Sequence, residues 1–332
     1  MNFLQMIKAY KGMVFGKTDY WHPDMVVNPD LSATADRADL PGRYPLDISA
    51  KALYPGSFDD YNIPMVPLEG ELRYVPVTIA QYALGNYDLY LATGQAPYRE
   101  KLLQCADWFV DNLVQHCADI WGWQHAYDNH IYNLKKPWLS ALAQGQALSV
   151  LARAYRETTE SVYLESGRKA LRAFFVPVEA GGLVAKTAGG DFYEEYPSQQ
   201  PSLVLNGFIF ALWGLRDFSL VSTDCEAEER YRTGLRTMRF LLSHYHIPAL
   251  SWSRYDLYPF EVINISSIFY HKLHIQQLLA LAQLTNDRSY RELAAVWQKA
   301  RKNPLTYLLA TGYKVIHKLS VRRHSYYVPS IK

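Results

Sequence analysis

The chain has 332 residues, of which 49% are hydrophobic, enough for a sizeable core in one large domain or two medium ones. Its formal net charge of +2 argues against a nucleic-acid-binding protein, which usually carries a clear basic excess. Three cysteines cannot form a disulfide framework, and neither a signal-peptide pattern nor an apolar run of about 20 residues is visible. We therefore expect a globular protein with no membrane span and a cytoplasmic location.

The first 70 residues differ in composition from the rest of the chain. They contain many prolines and little helical periodicity. We predict that residues 1–70 form an extended N-terminal arm, with a short β-hairpin as an option, wrapped around a helical body.

Four segments between residues 71 and 310 share one pattern: an apolar helix, a short polar break, a tyrosine and a second, amphipathic helix. The first helix of each pair is apolar nearly all round, so it must be buried on most sides. The second helix has one apolar face, which in the second pair carries Tyr163, Ser166, Ala170 and Phe174. The pattern predicts a mainly α fold, an (α/α)4 barrel or toroid-like array of helix pairs.

The connections between pairs are long, over residues 118–137, 175–201 and 244–270, and such loops are uncommon unless they are functional. We expect them to gather at the mouth of the inner-helix ring. The second and third are predicted to form small β-hairpin insertions, with Gly189 and Gly190 at the turn of the second. After them, residues 311–332 are predicted to be a basic C-terminal tail, either solvated or able to attract a polyanion.

Three clusters of tyrosines beside ionisable residues fall in or next to these loops: Tyr193–Pro197, Ser253–Tyr258 and Phe269–His274. Two histidines three residues apart, without an HExxH motif or a cysteine pair, do not predict a metal site. No GxGxxG, P-loop or GxSxG motif is present, so we predict no metal and no cofactor. A pair of carboxylates for glycoside hydrolysis, Glu194 or Glu195 with Asp256 or Glu261, remains an alternative.

The tyrosines suggest proton transfer at carbon. A phenol has a pKa near 10, so forming tyrosinate at pH 7 costs about 4 kcal/mol, and a nearby cation lowers that cost. Such a phenol is a suitable base for the C5–H of a uronic acid, provided that the substrate carboxylate is neutralised. Return of the proton to the opposite face gives epimerisation, whereas loss of the 4-O substituent gives a lyase reaction.

Six stretches of the chain resemble, in order and spacing, the C-terminal domain of the D-glucuronyl C5-epimerases that act on heparosan and heparan sulfate precursors. They are IAQYAL (79–84), WLSALAQGQALSVLARAY (138–155), DFYEEYP (191–197), LVLNGFIFALWGLRD (203–217), YDL (255–257) and YHKLHIQQL (270–278). The resemblance implies an α/α barrel, an isomerase activity that converts D-glucuronate to L-iduronate within a glycosaminoglycan-like polymer, and no cofactor.

Catalytic roles follow from this resemblance alone. It implies that Tyr196, Tyr255 and Tyr270 are catalytic tyrosines and that Glu195 is the partner carboxylate of Tyr196. It further implies a substrate-binding role for Asn206, for which a helix cap is the alternative. We extend the substrate-binding set to seven more residues of the matched stretches and their clusters: Tyr193, Trp138, Gln144, Arg254, His271, Lys272 and His274.

One position departs from the family. Tyr258 stands where the animal enzymes have an arginine after YDL, so Arg254, Lys272 or His271 is expected to neutralise the substrate carboxylate instead. The expected partner is an anionic polysaccharide, heparosan or N-sulfoheparosan, and a homodimer is compatible with the sequence. A uronate polysaccharide lyase and a non-catalytic glycan-binding module are the alternative functions.

Overall fold

The computed structural model describes residues 19–31, 42–222 and 225–321, and these residues are mainly helical. The described helices are α1 (Pro76–Thr93), α2 (Ala96–Asp111), α3 (Ala141–Thr158), α4 (Ser161–Leu171), α5 (Leu205–Ser222), α6 (Cys225–Leu241), α7 (Ile268–Thr285), α8 (Arg288–Lys302) and α9 (Pro304–Val321). The first eight form four consecutive pairs, each packed helix against helix. The prediction of a helix-pair array is therefore confirmed. None of the described helices is both long and apolar enough to cross a bilayer.

The inner helices α1, α3, α5 and α7 pack side by side in chain order. Helices α3 and α5 approach most closely, because Gly145 and Gly214 face each other across the crossing. A Cβ on Gly145 would lie 2.5 Å from the Cα of Ala211, so any larger residue would push the helices apart. The same helices share a buried ion pair, in which Arg153 Nη1 lies 2.6 Å from Asp217 Oδ2.

The outer helices bury one face each, as the pattern predicts. All four residues expected to face inward in the second pair are buried: Tyr163, Ser166, Ala170 and Phe174. In α8 the buried residues are Tyr290, Ala294, Trp297 and Ala300, spaced as one stripe of a helix. Left-handed residues end α1, α3 and α7 and allow short turns within the pairs: Gly94, Thr159 and Asn286.

Short antiparallel strands precede the first helix pair and occupy the connections between the pairs. They are β1 (Ser57–Phe58), β2 (Pro64–Leu68), β3 (Glu71–Tyr74), β4 (Val114–Cys117), β5 (Ile120–Gly122), β6 (Val184–Thr187), β7 (Gly190–Tyr193), β8 (His246–Ile247) and β9 (Trp252–Ser253). The hairpins β6–β7 and β8–β9 lie in the two loops where they were predicted, while β4–β5 was not foreseen. In β6–β7, Thr187 pairs with Gly190, so residues 188 and 189 make the turn and Gly190, at φ 120°, begins the second strand.

The N-terminal segment connects the two ends of the row of inner helices. The amides of Tyr44 and Ile48 donate to the Asp88 carboxylate on α1, at 3.3 and 3.2 Å. The amide of Val27 donates to the Gln276 side chain on α7, at 3.2 Å. The sheet β1–β2–β3 follows this segment and runs to Tyr74, a few residues beyond the predicted boundary at 70. Residues 1–18 and 32–41 of the predicted arm lie outside the described residues.

Helix α9 crosses residue 310, where the sequence analysis placed the end of the helical body. It packs against α8, and Ala310 and His317 are buried. Residues 311–321 are therefore part of a folded helix rather than a tail, because their apolar residues recur at helical spacing and pack on the preceding element. The remaining residues of the predicted tail, 322–332, lie outside the described part of the chain.

Candidate active site

The chain segment after β7 positions two consecutive carboxylates. The Glu194 side chain accepts hydrogen bonds from the hydroxyl of Ser202 and, at 3.2 Å, from the amides of Ser202 and Leu203. Its main-chain oxygen accepts from the amide of Ala141, at the start of α3. Burial raises the pKa of Glu194 to about 8 despite these donors. Glu194 thus fixes the loop that leads into α5, while Glu195 points elsewhere.

Glu195 is buried against the first turn of α5. The amide group of Asn206 donates to Glu195 Oε2 at 3.4 Å, and a Cβ on Gly207 would lie 2.1 Å from the same oxygen. Glycine at 207 is therefore what allows the carboxylate to sit there. Burial raises the pKa of Glu195 to about 7, while a hydrogen bond with the Tyr196 side chain acts in the opposite direction. A carboxyl group with this pKa can gain or lose a proton near neutral pH.

Tyr196 lies between other aromatic rings. Its ring stacks on Tyr132 with centroids 4.6 Å apart, and Trp138 packs at a tilt with a centroid distance of 5.8 Å. Burial, followed by the neighbouring Glu195 and Tyr270, raises the pKa of the Tyr196 phenol well above its usual value. The ring nevertheless retains partial access to solvent. Tyr196 is therefore a protonated phenol with a carboxyl partner of much lower pKa.

Tyr255 and Tyr270 form a second pair of phenols. Their ring centroids are 4.7 Å apart in an edge-to-face arrangement, and the two side chains are hydrogen-bonded. Burial and the charge of Glu195 raise the pKa of Tyr270 to about 12. The same two causes raise the pKa of Tyr255 well above its usual value. Both rings are partly accessible. Tyr196 and Tyr255 pack on the same cluster of buried residues, and Tyr270 contacts Tyr255, so the three phenols lie in one region.

Two main-chain hydrogen bonds join the loops that carry these phenols. The amide of Leu205 donates to the oxygen of Tyr255 at 3.1 Å, and the amide of Leu257 donates to the oxygen of Ser202 at 3.2 Å. Tyr270 stands in the first turn of α7, which Ser267 caps by accepting from the Tyr270 amide. Backbone contacts thus join the first two segments, and the contact between the Tyr255 and Tyr270 rings adds α7 to them.

A polar network lies beside the phenols; sequence reasoning named its Asp256 only as an alternative carboxylate for glycoside hydrolysis and missed Tyr132 and Lys314. The Tyr132 hydroxyl and the Asn264 amide each donate to Asp256 Oδ2 at 2.6 Å, and Lys314 Nζ donates to Asn264 Oδ1 at 2.5 Å. Burial raises the pKa of Asp256 to about 6 and, together with Lys318, lowers that of Lys314 to about 7. Asp256 could be singled out from the YDL motif, and Tyr132 from its long aromatic loop. Lys314 carried no local signal because it fell in the predicted tail.

Four of the predicted substrate-binding residues are fully buried structural residues: Tyr193, Gln144, His271 and His274. The sequence analysis assigned them to the substrate-binding set because they lie in or beside the matched motifs, but their side chains pack against other helices and strands of the protein.

The partners of these residues show their roles. The Tyr193 hydroxyl donates to the oxygen of Arg230 at 2.6 Å, and Gln144 exchanges hydrogen bonds with the main chain of Trp123. His271 accepts from the Ser253 amide through Nδ1, approaches the Trp297 oxygen through Nε2, and stacks on Trp252.

His274 Nδ1 lies 3.0 Å from the hydroxyl of Ser253, inside the same packed region as His271. Burial lowers the pKa of His271 to about 3 and that of His274 well below its usual value. Both imidazoles are therefore neutral at pH 7, so neither supplies a positive charge to a substrate.

The other predicted binding residues occupy three different settings. Lys272 pairs with Asp24 beside a surface cleft between the N-terminal segment and helices α7 and α8, and none of the three phenols lines that cleft. Arg254 Nε donates to the main-chain oxygen of Asp256 at 3.1 Å, next to the phenols. Trp138 packs on Tyr196, and its indole donates to the oxygen of Tyr127 at 2.7 Å. Asn206 leaves its side-chain oxygen buried without a hydrogen-bond partner.

In the part of the chain that the structure describes, no group of three or more histidine, cysteine, aspartate or glutamate side chains is arranged to hold a metal ion. The absence of a resident metal or cofactor stays a prediction.

Comparison with known proteins gives one family and several relatives. The D-glucuronyl C5-epimerase C-terminus family matches residues 117–299. A D-glucuronyl C5-epimerase of Caenorhabditis elegans is 33% identical in an alignment of 211 residues that covers 58% of this chain and 33% of that protein. An uncharacterised protein of Methanocaldococcus jannaschii is 34% identical over 181 residues, 53% of this chain and 57% of that protein.

A solved cellobiose 2-epimerase from Spirochaeta thermophila is similar over 74% of this chain and 70% of that one, with 14% identity and a TM-score of 0.45. The chain spans 33% and 57% of the lengths of the two curated relatives. Since the family match takes in more than half of the chain and includes Glu195, Tyr196, Tyr255 and Tyr270, this protein belongs to the D-glucuronyl C5-epimerase family.

Proposed function

We propose that the protein is a uronosyl C5-epimerase that converts D-glucuronate to L-iduronate residues within a heparosan-type polymer. The observation that carries this proposal is that Tyr196 and Tyr255 pack on one cluster, Tyr270 contacts Tyr255, and Glu195 is hydrogen-bonded to Tyr196. Membership of the family supports the general kind of reaction. The polymer substrate and the roles of the tyrosines are our inference.

In the proposed first step, one phenol removes the C5 proton of the uronate. Tyr196 can act as this base if its own proton passes to Glu195 as it accepts the proton from carbon. The pKa of Glu195 is about 7, at least three units below that of a phenol. That difference places the tyrosinate–carboxylic acid form at least about 4 kcal/mol above the phenol–carboxylate form, which a transition state can accommodate.

In the second step, a phenol on the other side returns a proton to C5. The Tyr255–Tyr270 pair suits this role because burial keeps both phenols protonated and the hydrogen bond between them can support a developing tyrosinate. One proton leaves C5 and one arrives, so the substrate is neither oxidised nor reduced. We therefore propose a reaction without a redox cofactor.

Substrate binding is proposed to use the unpaired polar atom at the site. The buried Asn206 oxygen lacks a partner among the described residues, and an unpaired buried acceptor is costly unless a ligand donates to it. A sugar hydroxyl can supply that hydrogen. Trp138 and Tyr132 are buried against the Tyr196 ring, so they support that ring and do not present a face to the sugar. The homodimer compatible with the sequence stays a prediction.

The test is incorporation of solvent deuterium. The protein is incubated with heparosan in deuterated water, and deuterium at C5 of the uronate is measured together with iduronate content. We expect both in the wild-type protein and a loss of at least 100-fold in Tyr196→Phe, because the hydroxyl oxygen that accepts the C5 proton is removed. Tyr61→Phe is the matched control, since Tyr61 is 79% exposed on the N-terminal sheet and should behave as wild type.

Other outcomes identify the alternative functions. An unsaturated product absorbing in the near ultraviolet, without iduronate, would indicate a uronate lyase, because the 4-O group rather than a proton would then complete the reaction. Binding of heparosan without deuterium incorporation, unchanged by Tyr196→Phe, would indicate a glycan-binding module and contradict the proposal.

A further inference from the structure

Proton abstraction from C5 adds negative charge to a group that is already a carboxylate, so the proposed reaction needs a positive charge beside it. Of the residues expected to provide it, His271 is buried and neutral, and Lys272 pairs with Asp24 beside a cleft that none of the three phenols lines. Tyr258 stands at the position where the resemblance implies an arginine. Arg254 and Lys314 are the cations that the described structure places next to the phenols.

Lys314 approaches the site from α9. Its Nζ lies 5.7 Å from the centroid of the Tyr255 ring, over the face of that ring. It donates to the side-chain oxygen of Asn264 at 2.5 Å, and the amide of Asn264 donates to Asp256 Oδ2 at 2.6 Å. The hydrogen bond of the ammonium group therefore goes to a neutral amide. Asn264 stands between the lysine and the carboxylate, so the positive charge is oriented without being taken up in a direct ion pair.

Arg254 is held differently. Its Nε donates to the main-chain oxygen of Asp256, and its own amide donates to the oxygen of Tyr245. Both contacts stabilise the loop that carries Tyr255. Arg254 therefore has a structural role that needs no substrate. Loop stabilisation does not account for the position of Lys314 over the Tyr255 ring.

We propose that the Lys314 ammonium group is the positive charge that binds the uronate carboxylate in this chain, an inference that rests on the proposed epimerase function. Lys314 lies beyond residue 299, where the match to the family model ends. Helix α9 thereby completes a site whose phenols come from the matched segments.

The energetics agree with this role. Burial lowers the pKa of Lys314 to about 7, so at neutral pH roughly half of the empty sites carry the charge. A bound carboxylate favours the charged form and raises that pKa again. The ionisable groups that face Lys314 or its partners are Lys318, His317, Asp256, Tyr255, His274 and Arg254.

The experiment compares binding with turnover in Lys314→Gln, Lys314→Arg and a charge-matched control, Lys302→Gln, at the exposed end of α8. Glutamine keeps a donor for Asn264 and removes the charge. Calorimetry measures the affinity for a heparosan oligosaccharide and for the same oligosaccharide with its carboxyl groups reduced to alcohols. Deuterium incorporation at C5 gives kcat and KM.

We expect Lys314→Gln to lose the preference for the carboxylate-bearing ligand, about 10- to 100-fold, as for a hydrogen bond to a charged group. KM should rise by a similar factor. Lys314→Arg should retain the preference to within a few fold, and Lys302→Gln should match wild type. Thermal unfolding of each variant shows whether it is folded, and if the glutamine variant is not, Lys314→Met removes the charge at similar side-chain length and is measured in its place.

Two results would overturn the assignment: an unchanged carboxylate preference in Lys314→Gln, or a wild-type protein with no such preference. Loss of the preference in Arg254→Gln alone would assign the role to Arg254 instead and equally contradict it. A wild type that prefers the carboxylate but incorporates no deuterium would refute the proposed epimerisation, while the Lys314 variants would still decide the binding role.

Discussion

Two buried charge clusters in this fold are arranged in opposite ways. In the helix core, Arg153 contacts Asp217 directly at 2.6 Å, and Ser149 donates to the same carboxylate. At the phenols, Lys314 and Asp256 are separated by an amide, and one Asp256 oxygen is buried without a partner. The core cluster therefore satisfies its charges within the protein. The site cluster leaves polar atoms available for a ligand.

The largest expected effect comes from breaking the core pair. Asp217→Asn should lower the free energy of unfolding by about 3–5 kcal/mol, because it leaves the Arg153 charge buried without its counterion. Denaturant unfolding measures this loss. Asp191→Asn is the control, since the Asp191 ion pairs lie nearer the surface and should cost about 1 kcal/mol or less. Equal losses in the two variants would remove the distinction between the clusters.

Neutralising Glu195 at the site should raise the free energy of unfolding, whereas neutralising Asp217 should lower it. Glu195 has a folded pKa of about 7, above its unfolded value, so the folded state binds more protons and stability falls as pH rises from about 4.5 to 7. Glu195→Gln removes that contribution. At pH 8 this variant should be more stable than wild type by up to about 3 kcal/mol, with the difference vanishing towards pH 4.5.

The same Glu195→Gln variant should lose C5 exchange by about 100-fold or more, because the acceptor for the Tyr196 proton is gone. Unfolding curves at several pH values and deuterium incorporation measure the two effects on one protein. A variant that is less stable at pH 8 than wild type would show that Glu195 is a structural charge like Asp217.

The smallest expected effect on stability comes from the polar network around Asp256. Tyr132→Phe removes the hydrogen bond to Asp256 and should cost about 1–2 kcal/mol of stability. It should also raise the pKa of Asp256, because that hydrogen bond favours the charged carboxylate. Carboxyl titration by NMR and thermal unfolding measure both changes. Unchanged values would mean that Tyr132 acts only through its ring, which stacks on Tyr196.

Sequence reasoning predicted the helix pairs and the β6–β7 hairpin because their periodicity and turn residues are local. It also named Tyr196, Tyr255, Tyr270 and Glu195, which the structure brings together. It did not separate Tyr270 from His271, although one residue turns a helix by about 100° and moves a side chain from the site into the core.

Tyr132 and Lys314 were missed for a different reason. Their importance arises from contacts across 124 residues to Asp256 and across 50 residues to Asn264. No local pattern encodes such distances, and the basic composition after residue 310 is equally compatible with a solvated tail.

The backbone hydrogen bonds from Leu205 to Tyr255 and from Leu257 to Ser202 tie the two phenol-bearing loops to each other. The distance between the two loops is therefore set by the main chain rather than by flexible side chains. Under the proposed mechanism, exchanging a neighbouring side chain should alter which sugar rings are accepted while the separation of the two loops stays the same.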